Sequence, residues 1–174
     1  MTSQSIDFLG LNYYTRHTAR HVWYVPFLQT WIEGDLWAER ESVRDGVQYT
    51  GMGWEVYPQG IYDALMRIKT EYGNPPTYIT ENGAAFTDDV EEGSCSDPLR
   101  RQFLELYMSK AAQAARDGAD LRGYFIWTLM DNFEWATGFS KRFGLIHVDH
   151  RTQVRTVKES GYWVRDMIRA QAAR

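Results

Sequence analysis

Glu81 stands in the tetrapeptide Thr80-Glu81-Asn82-Gly83, directly after the β-forming run Thr77-Tyr78-Ile79. A carboxylate at the C-terminal end of a strand, followed at once by an amide and a glycine that turn the backbone, lies where parallel α/β proteins do their chemistry. It could act there as base, nucleophile or metal ligand. Two other apolar runs end in comparable groups. The run from Ile6 to Tyr14 carries Asn12 and Tyr14, which alternation along a strand places on one face. The run from Gly123 to Leu129 carries Trp127, and the stretch beyond it holds Asp131-Asn132-Phe133-Glu134-Trp135. If the three runs are parallel neighbours, a carboxylate, a phenol, an amide, an indole platform and a second carboxylate beside another indole meet on one rim. That set can bind and attack a polyol, because indole faces suit the apolar C–H surface of a sugar ring and polar tips suit its hydroxyls. Taken singly, each residue has a plainer reading: Asn-Gly serves many turns, Trp fills cores, and Glu is most often solvated. Convergence on one rim is what favours the chemical reading.

Other constellations carry less. His17 and His21 are four apart and would share a helix face, but no third ligand stands nearby. His147-Val148-Asp149-His150 looks ligand-like and is read as a surface hairpin. Gly51-Met52-Gly53 lacks the third glycine and the preceding strand of a dinucleotide fingerprint. The charged stretch from Glu33 to Arg44 is read as a solvated face. No Ser or Cys stands in a nucleophile setting.

The groups on the rim need a scaffold, and the hydrophobic pattern supplies three strand-then-helix units with no internal repeat or low-complexity linker. Strands are expected near 6–14, 77–81 and 123–129. The first helix is expected from Gln59 to Tyr72, stopped by Gly73 and Pro75-Pro76. The second starts at the cap pair Asp97-Pro98, ends at Gly118, and carries Leu99, Phe103, Leu106, Tyr107, Ala111 and Ala114 at helical spacing. A third runs from Lys158 to near the C-terminus, with Tyr162, Trp163 and Met167 or Ile168 on one side. Long connections, about 15–57 and 131–157, separate some of these elements. Near-continuous apolar strands alternating with helices indicate an α/β fold with a parallel sheet buried on both faces. Residues 1–174 read as one unit. Three strands cannot close a barrel, which needs eight and typically about 250 residues, so the sheet should have two open edges.

Composition narrows the class further. The chain has 174 residues, 44% hydrophobic, and a net charge of −4, which gives no general attraction to nucleic acid or to an anionic membrane. No run approaches the length of apolar chain that spans a bilayer. The single Cys95 excludes an internal disulfide and fits a reducing compartment. The N-terminus is polar and uncharged, unlike a signal peptide, so a cytoplasmic location is the default expectation. Seven Trp and eleven Tyr make the chain unusually aromatic, in keeping with a sugar-binding rim.

Taken together these segments resemble the family 1 glycoside hydrolases, the β-glucosidase and β-glycosidase family. Phe8-Leu9-Gly10-Leu11-Asn12-Tyr13-Tyr14-Thr15 resembles the family's sixth barrel strand, and Gly53-Trp54-Glu55-Val56-Tyr57-Pro58 resembles the lead into the following helix. Tyr78-Ile79-Thr80-Glu81-Asn82-Gly83 is similar to the seventh strand with its nucleophile signature. Gly123 to Trp135 is similar to the eighth strand and its sugar-binding loop, and Phe139-Ser140-Lys141-Arg142-Phe143-Gly144 continues the pattern. The resemblance covers nearly the whole chain, in the right order. It implies the C-terminal part, about strands six to eight with their helices, of a TIM (β/α)8 barrel that is incomplete by itself.

The resemblance also implies roles. Glu81 would be the nucleophile of a retaining mechanism, and Tyr14 would donate a hydrogen bond to it. Trp127 would floor the sugar, Glu134 and the Trp135 indole would bind its hydroxyls, Phe143 would form part of the wall, and Asn12 would support the rim. Phospho-β-glucosidases of the family carry a Ser where Glu134 stands, so unphosphorylated β-glycosides are the expected substrates. Neither a cofactor nor a metal is expected. One departure stands out: the family's acid/base Glu lies in an Asn-Glu-Pro motif after the fourth strand, and no Asn-Glu-Pro occurs here. The chain, with its own Met1, thus looks like three-eighths of the barrel. It is expected either to dock on a complementary N-terminal barrel fragment, or to stand as an inactive half-barrel that self-associates or binds sugars weakly.

Overall fold

The computed structural model describes residues 6–24, 27, 29–33 and 46–172. The expected solvated face falls, past Glu33, outside the described residues. In chain order the elements are β1 (Leu9–Asn12), the hairpin strands β2 (Thr18–His21) and β3 (Thr30–Glu33), and α1 (Gln59–Glu71). There follow β4 (Thr77–Asn82), the short hairpin β5 (Asp89–Glu91) and β6 (Ser94–Ser96), and α2 (Pro98–Arg116). Then come β7 (Leu121–Ile126), a 3-10 turn at Trp135–Thr137, the hairpin β8 (Ile146–Val148) and β9 (Arg155–Val157), and α3 (Glu159–Ala172).

β1, β4 and β7 form a parallel sheet with β4 in the middle, as three consecutive βα units require. The strands are shorter than the apolar runs. β1 spans only Leu9–Asn12, and Ile6 and Phe8 lie exposed before it. β7 begins two residues before the expected Gly123 and ends at Ile126, so Trp127 to Leu129 leave the sheet. They turn away through a cis Trp127–Thr128 peptide, while the Trp127 N–H still donates to the Asn82 carbonyl at 2.9 Å.

Burial on both faces is not what this chain achieves. The helices cover one face, where Thr77 and Ile79 are fully buried. The other face presents Gly10, Asn12, Thr80 and Phe125 to solvent, with Phe125 57% exposed. A parallel sheet ordinarily has both faces packed. Here the chain supplies helices for one face alone.

The covered face packs on α1 and α2. Ile61 and Leu65 from α1, Ile79 from β4, and Phe103, Leu104, Tyr107, Ala111 and Ala114 from α2 form the core. The stripe on α2 is rotated from the expected one, because Leu99 and Leu106 are exposed while Arg100 and Leu104 are buried. At about 100° per residue, positions 99 and 106 fall roughly 90° or more from the centre of the buried arc. On α3 the buried residues are Ser160 and Val164, and Tyr162 and Ile168 face outward. α1 stops as its sequence directs, with Gly73 at φ 77° just past the cap residue Tyr72.

The segments beyond β4 and β7 are held by charge. Arg100, 2% exposed, donates to both oxygens of Asp88, at 2.8 and 2.9 Å, and to Asp97 at 2.6 Å. Lys158, fully buried, bonds Asp88 and also Asp131, the latter at 3.0 Å. Arg142 completes the lattice with 2.8 Å to Asp131, and its carbonyl accepts from Arg100 at 2.7 Å. Asp97 does not cap its own helix with its side chain, as the sequence suggested. Its carboxylate instead accepts from the Ser160 N–H at 2.8 Å and the Ser160 hydroxyl at 2.5 Å, capping α3.

Burial pushes the Asp131 carboxyl up, but the Lys158 charge and bonds from Arg142, Lys158 and the Gly144 N–H outweigh it and hold it below the usual carboxylate range. Asp131→Asn should lower stability at neutral pH by about 3–5 kcal/mol in urea unfolding, the cost of stranding a buried cation. Because the folded value lies below the unfolded one, Asp131's share is whole above the ordinary carboxylate range and is lost as pH falls beneath it. The wild-type and variant curves should therefore converge below about pH 4. A gap that stays constant under acid would contradict this account.

Candidate active site

The rim is built from the ends of the three sheet strands and the residues just past them. The β1–β4 register sets Asn12 opposite Glu81, with a shift in pairing at that point. Tyr14, two residues past β1, donates its phenol proton to Glu81 Oε2 at 2.7 Å. Thr80 Oγ1 donates to Asn12 Oδ1 at 2.6 Å, which leaves the Asn12 N–H2 group as its donor end. After β7, the Trp127 indole donates to Glu134 Oε2 at 3.2 Å. Tyr14, Trp54 and Phe143 meet edge-on or tilted, with ring centroids 5.4 to 6.4 Å apart.

These groups enclose a cavity of about 350 Å³. Asn12, Tyr14, Glu81, Trp127, Glu134, Trp135 and Phe143 all line it, so every residue named from the sequence comes to one place. Met52, Trp54, Ala136 and Thr137 line it as well. Burial raises the Tyr14 phenol well above its ordinary value, and the bond to Glu81 and the charges of Glu81 and Glu134 push the same way. Tyr14 is therefore a proton-bearing donor throughout the neutral range.

The site is thus a carboxylate held by a tyrosine at a strand end, in an aromatic cavity with a second carboxylate. The glycosyl hydrolase family 1 profile matches residues 1–173. The chain belongs to glycosyl hydrolase family 1. It is 45% identical over 167 residues to β-glucosidase A of Thermotoga maritima, covering 95% of this chain and 35% of that protein. The solved family 1 β-glucosidase from Thermotoga maritima superposes with a TM-score of 0.83 at 45% identity, again over 95% of this chain and 35% of the other. The same enzyme in complex with isofagomine lactam gives 0.82. A 6-phospho-β-galactosidase of Lacticaseibacillus casei is 42% identical over 133 residues, 73% of this chain and 28% of that protein. The chain thus spans about 35% of the length of the β-glucosidases it matches, a part of their TIM barrel.

Within this family 1 fragment, the residues after Glu81 prove to be structural. Asn82 is fully buried; its amide donates to the Tyr13 carbonyl at 2.7 Å and accepts from the Tyr124 hydroxyl. It thereby ties β7 to the backbone that carries Tyr14. A Cβ on Gly83 would overlap the Trp127 carbonyl, so glycine is demanded by close approach and not by the turn alone. Trp54 and Met52 were not anticipated, because their segment has no strand or helix period to place it. The hint was Trp54 itself, a large aromatic in a Gly-rich loop.

The rejected constellations stay apart from the rim. His21 ends β2, and His17 precedes that strand, so the two share no helix. His147-Val148-Asp149-His150 is the β8–β9 hairpin anticipated from its sequence. Among the described residues no group of three His, Cys, Asp or Glu is placed to hold a metal. A larger depression of about 940 Å³ beside the β5–β6 hairpin, lined by Glu91, Glu92 and Ser94, contains none of the strand-end groups. Gly83→Ala should cost about 1–3 kcal/mol by overpacking against the Trp127 carbonyl. An unchanged unfolding midpoint for that variant would show that the two backbones are not in contact.

Proposed function

We propose that the chain is the nucleophile-bearing part of a retaining β-glycosidase that hydrolyses unphosphorylated β-glucosides or related β-glycosides. The 2.7 Å bond from Tyr14 to Glu81 in an indole-walled cavity carries this reading. Tyr14 holds one carboxylate oxygen and leaves the other to attack the anomeric carbon. The C1–O bond to the aglycone breaks as the Glu81–C1 ester forms, and the leaving oxygen takes a proton from an acid. Water then attacks C1, giving up its proton to that same residue, and Glu81 is released as carboxylate. Trp127 floors the sugar, and Phe143 closes one wall. Glu134 accepts from sugar hydroxyls, while the Trp135 indole and the Asn12 amide donate to them.

The acid must lie about 5–5.5 Å from the nucleophile in a retaining enzyme. Glu134 serves the sugar hydroxyls on this reading, and the sequence holds no Asn-Glu-Pro. The remaining part of a family 1 barrel would supply the acid and cover the bare sheet face. An inactive, self-associating half-barrel is the competing reading. Native mass spectrometry and an aryl β-glucoside assay, with and without an N-terminal barrel partner, separate the two.

With that partner, Glu81→Gln should lower kcat by several orders of magnitude, because the covalent step is lost. A rate near wild type would remove Glu81 from the role. Tyr14→Phe should be milder, because it removes the bond that orients the carboxylate and leaves the nucleophile itself; an unchanged kcat would argue against its holding Glu81 in line.

The 6-phospho-β-galactosidase relative makes phosphorylated sugars the relevant alternative substrates. Glu134 would meet a sugar phosphate with like charge, a repulsion of about several kcal/mol when desolvated. Replacing Glu134 by Ser should therefore raise kcat/KM for a 6-phosphoglucoside relative to the glucoside. No change in that ratio would remove Glu134 as the discriminator.

A further inference from the structure

We infer that Arg16 and Glu55 are positioning residues that fix Tyr14 and the Trp54 wall relative to Glu81. The inference rests on the reaction proposed above. Arg16 Nε donates to Glu55 Oε2 at 3.1 Å and Arg16 Nη2 to Oε1 at 2.8 Å, a two-point fork on one carboxylate. Glu55 is 4% exposed while the Arg16 side chain is 40% exposed, so the pair is partly screened by solvent and the two-point geometry, more than its charge, fixes the contact. The Arg16 guanidinium also lies 3.7 Å over the Tyr57 ring. The Thr15 hydroxyl donates to the Glu55 carbonyl at 2.9 Å. Two stretches of chain are thereby joined at three points, 15–16 on one side and 55–57 on the other.

Each stretch carries one cavity wall beside its tie. Tyr14 precedes Thr15 directly, and Trp54 precedes Glu55. No ladder of the parallel sheet joins these stretches: Tyr14 lies past the end of β1, and the Trp54 segment enters only the isolated Tyr49–Glu55 bridge. The rings themselves touch edge-on at 5.4 Å, a contact too weak to set position. Neither Arg16 nor Glu55 belongs to the apolar core. Farther along the second stretch, the Tyr13 hydroxyl donates to the Tyr57 carbonyl at 3.0 Å, and the Tyr107 hydroxyl accepts from the Tyr57 N–H at 2.8 Å and donates to the Tyr14 carbonyl at 3.4 Å. The fork and the Thr15 bond act closer in, directly beside Trp54, so the fork tunes the Tyr14–Trp54 spacing and with it the reach of the Tyr14 hydroxyl to Glu81. Arg is suited to this where Lys is not, because only the planar guanidinium meets both carboxylate oxygens at once.

The test measures kcat and KM for an aryl β-glucoside in the chain joined to its barrel partner. Rates are expressed per active site titrated with a slow covalent fluoro-sugar. Arg16→Met should lower kcat per titrated site by about tenfold to a hundredfold, as a displacement near 1 Å would. Arg16→Lys should recover part of that loss. Adding Glu55→Gln to Arg16→Met should cost no more than the worse single change, the signature of residues acting as one unit. A purely structural pair would lower the melting temperature and the titratable fraction but leave kcat per site within about twofold of wild type, and that result overturns the inference. If the parent neither turns over the glucoside nor labels Glu81, it is the proposed reaction that fails. The clamp is then read from the 19F resonance of 5-fluorotryptophan at Trp54, assigned with Trp54→Phe. That resonance should move in Arg16→Met and return towards its place in Arg16→Lys; a resonance unmoved by Arg16→Met overturns the clamp on its own.

Discussion

Three carboxylates, Asp88, Asp97 and Asp131, meet three cations, Arg100, Arg142 and Lys158, in a lattice that is almost wholly out of water. The balance matters more than the number of bonds. Each buried charge is costly to desolvate, and removing one partner strands the others. The lattice also sits where apolar packing cannot do the same work. It joins the loop after β4, the loop after β7 and the starts of α2 and α3, segments that surround an open rim. A rim that must admit a ligand cannot be closed over by a core, so directional charged bonds take over the task of holding it. Asp131 opens the loop that carries Glu134 and Trp135, and its carboxylate accepts from the Gly144 N–H at 2.9 Å, next to Phe143. The wall of the cavity is thus set by a group that does not touch the cavity.

The tetrapeptide around Glu81 divides its labour in a similar way. Glu81 faces the cavity with Tyr14 on one oxygen. Asn82 turns the other way, into the core, and holds the backbone of Tyr13 from beneath. Gly83 lets the Trp127 carbonyl pass at a distance no side chain would allow. Thr80, on the open face, orients the Asn12 amide. Four consecutive residues therefore fix four different neighbours, which explains how a short strand end can place a tyrosine, an asparagine and a tryptophan together.

How much of this was legible follows from the same physics. Glu81, Tyr14 and Asn12 could be placed because strand ends and alternation are local properties, and the resemblance of their segments supplied the rest of the rim. The parallel order of the three sheet strands followed from the βα alternation. Sequence reasoning failed where a residue's job is set by a distant partner. Asp97 stands at the N-cap of its own helix, as its sequence directs, but its carboxylate caps α3 instead. Leu99 and Leu106 fit a helical period but fall off the buried arc, which only the position of the sheet defines. Arg100 and Lys158, two of the most buried side chains, are charged, and burial of such groups cannot be inferred until their acids are found. Trp54 escaped because no local pattern positions its loop; its neighbour Glu55 is gripped by Arg16 instead.

Among the described residues, this chain itself supplies a set of groups that hold Glu81 and Tyr14. The fork at Arg16, the amide of Asn82, the lattice around Asp131 and the aromatic contacts of Tyr14 all close within it. What the chain leaves open is the sheet face carrying Gly10, Thr80 and Phe125, together with the two outer edges at β1 and β7. On the proposed reading, the missing part of a barrel need not arrange the nucleophile at all. It has to cover an open face and bring one acid within reach of a carboxylate already in position. The nucleophile half is then set by internal contacts, and the separation between the two carboxylates is set by docking. Docking geometry, more than the chemistry at Glu81, would limit the activity of the assembled enzyme.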